Sequence, residues 1–119
     1  MKDNDYFLIH RETVMKVSKE NPHTFLMFMR CNAEVSDVET FKEINGRKIR
    51  LDIGEFVITG YKELAEMLHQ IHQRDRKFSK PRYAYLLLKR LERKGYLTIR
   101  NFDGYKLISL NCFEELRVN

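Results

Sequence analysis

Between a proline at position 81 and a glycine at position 95, Ala84, Leu87, Leu88 and Leu91 recur at spacings of three and four residues. That period belongs to one face of an α-helix and not to a strand, so the segment must lay one side against an apolar surface. Ser79 can cap the free amides of the first turn, Pro81 is tolerated there, and Gly95 is the usual stop at a helix C-terminus. A helix is therefore expected from Lys80 to Lys94. Around the rest of its surface stand Lys80, Arg82, Tyr83, Tyr85, Leu86, Lys89, Arg90 and Arg93, an outer face rich in positive charge.

The segments on either side have equally definite patterns. Over residues 61–73, Leu64, Ala65, Leu68 and Ile71 form a second apolar stripe, with Thr59 placed to cap the helix start. The connection over residues 73–78 is polar and contains Arg74, Arg76 and Lys77. Beyond Gly95, residues 96–100 and 105–110 alternate in polarity and are joined by Asn101-Phe102-Asp103-Gly104, which predicts an antiparallel hairpin with Asp-Gly turn chemistry. Upstream, Asn21 followed by Pro22 starts a helix running to about Ala33. Phe25, Leu26, Met27, Phe28 and Met29 occupy every side of it, the mark of a central core helix. Asn45-Gly46 supplies the turn of a hairpin over residues 40–51, and residues 54–59 read as a short strand. The apolar stretch from Tyr6 to Ile9 has extended character, residues 11–19 read as a short helix or turn, and residues 111–119 as a short helix or disordered tail.

With 119 residues the chain has room for one domain, residues 1–119, around a single core. Its net charge of +5 is unevenly placed. Residues 1–60 hold nine Lys and Arg against ten Asp and Glu, whereas residues 61–119 hold thirteen against seven. The segment from 74 to 94 alone has nine basic residues and two acidic ones, and is the natural footprint for a polyanion. Cys31 and Cys112 are far apart without metal-ligand spacing, and Cys31 reads as a buried small hydrophobe. No segment reads as a signal peptide or a membrane span, and a reducing cytoplasm, that of a bacterial host cell, is the expected location.

A helix, a basic helix stopped by glycine, and an immediate hairpin follow the order of a winged helix-turn-helix. The expected class is α+β, mainly helical, with an additional N-terminal helix and a C-terminal β-hairpin wing. Such a reading helix fits the major groove of double-stranded DNA. The expected contacts are Arg74, Arg76, Lys77, Lys80, Arg82, Tyr83, Tyr85, Lys89, Arg90, Arg93 and, around the wing turn, Arg100, Asn101 and Lys106. Arg82 and Lys89 could reach guanine edges, while Lys80, Arg90, Arg93 and Lys94 suit phosphates. Tyr83 and Tyr85 could stack on nucleic acid or pack on a neighbouring helix. A basic run on an amphipathic helix is also what an ordinary solvated face looks like, and it is the conjunction of elements that favours DNA.

Glu66, His69, His72 and Asp75 recur every three residues, but an exposed polar face gives the same spacing, and no HExxH pattern or cysteine accompanies them. His10 and His23 have no nearby nucleophile or paired carboxylate, and no Gly-rich phosphate loop occurs. No metal, cofactor or enzymatic activity is expected.

Ile9-His10-Arg11, the helix of residues 22–33, Ile44-Asn45-Gly46, LDIGEFVIT over 51–59, Lys62-Glu63-Leu64-Ala65-Glu66, and LKRLERKGYLTI over 88–99 occur in an order that resembles the N-terminal domain of phage replisome organizer proteins. That domain is similar to the winged-helix domain of DnaD-type primosome proteins. The resemblance covers nearly the whole chain. It implies binding of origin or single-stranded DNA, and recruitment of a replicative helicase or its loader at initiation of phage or plasmid replication. The chain departs from that pattern in the connection over residues 69–78, which is long where the family has a tight turn. Two other functions use the same residues differently: a small winged-helix transcriptional regulator on an operator, and a protein-interaction module in which the wing and Leu86 face a partner. Paired DNA half-sites would call for a homodimer.

Overall fold

The computed structural model describes residues 11–71 and 80–111. The element order is α1 (Arg11–Val17), α2 (Pro22–Glu34), β1 (Thr40–Ile44), β2 (Arg47–Leu51), β3 (Glu55–Ile58), α3 (Tyr61–Ile71), α4 (Pro81–Arg93), β4 (Leu97–Phe102) and β5 (Tyr105–Leu110). It is a small α+β domain, with four helices and two antiparallel sheets among the described residues. The stretch from Tyr6 to Ile9, the basic residues Arg74, Arg76 and Lys77, Ser79, His10, His72, Asp75, Cys112 and the tail from 112 onward lie outside the described residues, as does the side chain of Ile71.

Local chemistry sets most of the boundaries. Asn21 caps α2 as its position requires, its Oδ1 accepting from the His23 N–H at 2.8 Å. Thr59 does not cap α3. Its N–H and its hydroxyl both donate to Glu63 Oε1, at 2.8 and 3.0 Å, so the acid reaches back from the first turn and ties the incoming chain to the helix. At the start of α4 the cap position belongs to Lys80, whose side chain makes no capping hydrogen bond. Pro81 is then the first helical residue, which removes one amide that would otherwise need a partner. The helix ends at Arg93, one residue short of expectation, and Gly95 turns the chain at φ +85°.

The two hairpin turns differ. Asn45 and Gly46 both take positive φ, 49° and 81°, as a two-residue primed turn demands. Between β4 and β5 the loop is shorter than expected, because Asn101 and Phe102 belong to β4 and pair with Lys106 and Tyr105. Only Asp103 and Gly104 remain outside the ladder, and Gly104 supplies the positive φ.

The order β3-β5-β4 puts β5 at the centre of a three-stranded sheet, and β1 and β2 form a separate two-stranded sheet. All four residues of β3 are buried, which a strand with one solvated face could not achieve. Alternation explains it. Phe56 and Ile58 point with Ile108, Leu110 and Leu97 into the main core, where α1, α2, α3 and α4 contribute Val17, Met27, Phe28, Leu64, Leu68, Leu87, Leu88 and Leu91. Val57 and Leu107, directly paired, point the other way and are covered by Ile44, Ile49 and Leu51 of the β1–β2 hairpin. The stripe expected on α4, Ala84, Leu87, Leu88 and Leu91, is fully buried. In α2, Met27, Phe28 and Cys31 are fully buried, and Phe25, Leu26 and Met29 are partly buried against the same core. Burial pushes the Cys31 thiol up to about 12, with the Glu34 charge adding to it and Arg30 opposing, so it stays protonated and inert.

One acid holds the hairpin face together. Glu55 is buried on β3, where Oε1 accepts from the Asp52 N–H at 2.8 Å. Its Oε2 accepts from Ser109 Oγ at 2.9 Å and from Arg100 Nη2 at 2.8 Å. The carboxylate thus spans all three strands of the sheet and the loop that leads into it.

Leu88 is fully buried where α4 meets the sheet and α2. Leu88→Ala should destabilise the fold by about 2–5 kcal/mol, read from urea unfolding midpoints. The exposed Leu86→Ala should move the same midpoint by less than about 0.5 kcal/mol.

Candidate nucleic-acid interface

Successive residues of an α-helix advance by about 100°, so the buried stripe of α4 fixes what points away from the core. Arg82, Leu86, Lys89 and Arg93 fall on the opposite stripe. Arg82 and Arg93 are exposed and stand about 16 Å apart along the axis by helical rise, and their side chains have no hydrogen bond or ion pair with any described residue. Leu86, at the middle of this stripe, is 45% exposed. Lys80, at the helix start, is likewise exposed and unpaired among the described residues.

The remaining cations of α4 are committed within the molecule. Arg90 Nη1 donates to Thr24 Oγ1 of α2 at 3.0 Å, and Lys94 Nζ meets Glu20 Oε2 at 2.9 Å. Both fasten the basic helix to α2 and the chain before it. Lys89 Nζ pairs with Glu92 Oε1 at 2.6 Å, and Glu92 Oε2 accepts the Ile99 N–H of β4 at 3.0 Å. β4 is an edge strand whose outward amides lack a neighbouring strand, and Glu92 takes up one of them.

The two tyrosines on α4 turn inward or sideways. Tyr83 packs on the main core and its hydroxyl hydrogen-bonds His23 Nδ1, with the rings edge to face. Tyr85 sits edge-on to Tyr61 with ring centroids 4.8 Å apart, and Lys106 Nζ lies 5.1 Å from the centroid of the same Tyr61 ring. Tyr61, the first residue of α3, therefore joins α4 to β5. Burial raises its pKa, Tyr85 and Glu92 add to the rise, and Lys89 opposes it.

Strand register divides the hairpin residues expected to touch DNA. Asn101 and Lys106 pair with each other on the side of the sheet that faces α3 and α4. Arg100 lies on the opposite side, with the β1–β2 hairpin, where it meets Glu55. No local pattern announces this meeting, since Glu55 and Arg100 are 45 residues apart. The same holds for Arg47, which no motif marks. At the tip of the β1–β2 hairpin, Arg47 Nη2 donates to the Asp103 carbonyl at 2.6 Å, and its guanidinium carbon lies 5.6 Å from the Tyr105 ring centroid.

Among the described residues no group of three His, Cys, Asp or Glu side chains comes together to hold a metal ion. Among the same residues no helix is long and apolar enough to cross a membrane. Compared with protein-family models, curated proteins and solved structures, the chain matches none.

Glu92 gives the site a pH dependence. Burial raises its pKa, but the hydrogen bonds from Lys89 and the Ile99 amide, together with the Lys89 charge, outweigh burial and leave it below the ordinary carboxylate range. An acid depressed in the folded state stabilises fully above its unfolded pKa, and that contribution is lost as pH falls through the folded value. Glu92→Gln should lower stability at pH 7 by about 1–2 kcal/mol through the weaker bond to Ile99. It should also lessen the drop in stability between roughly pH 5 and pH 3, as measured by urea unfolding at each pH.

Proposed function

We propose that the chain is a DNA-binding domain of the winged helix-turn-helix class, in which α3 supports α4, α4 enters the major groove, and the β4–β5 hairpin is the wing. The observation that carries this reading is the outward stripe of α4. Arg82 and Arg93 are unpaired among the described residues, and they bracket Leu86 and Lys89 on the side opposite the core. A groove about 12 Å wide accepts one helix, and cations at both ends of a short helix can meet the two phosphate walls or a guanine edge. Asn101 and Lys106 present further polar groups on the helix side of the wing. Lys89 would exchange its intramolecular partner Glu92 for a phosphate or base edge, whereas Arg90 and Lys94 act as braces that hold the reading helix at its angle.

The resemblance to phage replisome organizers directs this reading toward the origin of phage or plasmid replication, with a replicative helicase or its loader as the next partner. Footprinting on the parent genome distinguishes the roles: protection within an origin supports the initiator, and protection over a promoter makes the domain an operator-binding regulator.

Each phosphate contact releases about one counterion, so affinity should fall steeply with salt. Arg82→Ala and Arg93→Ala together should weaken duplex binding and reduce the slope of log affinity against log salt by about two if both meet phosphates, as read by fluorescence anisotropy over a salt series. Unchanged affinity in the double variant, or a flat salt response of the native chain, rejects the proposal and favours a protein-interaction module.

A further inference from the structure

The adjoining tips of the two hairpins carry an aromatic and basic cluster that the α4 interface does not use. Phe102 ends β4 and Tyr105 begins β5, and their register places both rings on the sheet face turned toward the β1–β2 hairpin. The rings stack, 5.0 Å between centroids and 13° between planes. Tyr105 is partly buried against Ile44, Ile49 and Leu107, which anchors the pair to a core. Phe102 is 46% exposed, so a large apolar ring stands in solvent on a support that cannot swing away. Arg47 is held beside it by its bond to the Asp103 carbonyl and its position over Tyr105. Arg100, two residues before Phe102 on the same face, keeps half of its side chain exposed despite its pairing with Glu55.

A flat exposed ring on a fixed aromatic support, flanked by two guanidinium groups, has the chemistry that receives an unpaired base and the phosphates beside it. A paired base offers no such face, because its faces are already stacked within the duplex. A protein partner would gain from the exposed ring as well, but of the acids at this tip Glu55 is buried in its pairing with Arg100, and the turn residue Asp103 stands against two guanidinium groups, a balance that favours a polyanion. We infer that Phe102, with Tyr105 beneath it and Arg47 and Arg100 at its sides, is a stacking platform for an unpaired base, so that the wing recognises a junction between duplex and single strand. The inference rests on the DNA-binding reading above and adds to it a preference for forked structure over continuous duplex.

The test uses the full chain and three labelled probes of one sequence: blunt duplex, the same duplex with a single-stranded fork, and the single strand alone. The native chain should bind the fork more tightly than the duplex by roughly 5- to 100-fold, the range that one base–aromatic stack supplies. Phe102→Ala should remove that difference and leave duplex affinity within about two-fold, while Phe102→Tyr, which keeps a stacking ring, should retain it. A fork carrying 5-iododeoxyuridine at the junction should photo-crosslink to the peptide containing Phe102. Equal affinity of the native chain for fork and duplex overturns the inference and leaves duplex binding intact, whereas loss of binding to every probe overturns the underlying reading. A Phe102→Ala variant that keeps the fork preference but loses self-association in sedimentation assigns the ring to a protein contact and also overturns the inference.

Discussion

The three-stranded sheet is too small to leave either face in water, and the rest of the molecule follows from covering both. A strand of four residues such as β3 contributes two side chains to each side. On one side, Phe56 and Ile58 are met by four helices, whose apolar stripes had no other surface to join. On the other, Val57 and its partner Leu107 are met by the β1–β2 hairpin. Without that hairpin the second face would expose a row of β-branched and leucine side chains, and Glu55 would lose the loop amide it fixes. The outward direction of α4 is set by the same constraint, because the helix lies where its buried stripe reaches the sheet.

Charge has two uses in this chain, and sequence composition does not separate them. The segment from 80 to 94 reads as a single basic run, yet Arg90, Lys94 and Lys89 each have a partner on another turn or element, while Arg82 and Arg93 have none among the described residues. The partners are Thr24, Glu20 and Glu92, and only the last is close in sequence. Long side chains that pair across elements brace the helix, and those that find nothing to pair with among the described residues stand exposed to solvent.

What was legible in the sequence had local causes. The stripe of α4, the Asn21 cap, the Asn45-Gly46 turn and the glycine stop at 95 are each determined within a few residues, and each stands where it was expected. Errors arose where two local signals competed. Lys80 was expected as the first helical residue, but Pro81 fixes that position and leaves Lys80 as the cap. Thr59 has a capping hydroxyl, but Glu63 supplies a stronger acceptor for it. The Asn-Phe-Asp-Gly loop contracts to two residues because Phe102 gains a ring partner by extending the ladder to Tyr105. The division of the hairpin residues between two faces, the meeting of Glu55 with Arg100 and the reach of Arg47 to Asp103 all depend on distant segments folding onto one sheet. No pattern within a window of sequence encodes them.

The contact between Arg47 and the Asp103 carbonyl links turns that lie 56 residues apart. A free hairpin tip must give up backbone and side-chain motion whenever it closes on a ligand, and that entropy is subtracted from affinity each time. Here much of the ordering is completed when the chain folds, since one guanidinium spans both tips and the Tyr105 ring. The two loops consequently form one preorganised surface, and selection acting on either turn has to preserve the shape of the other.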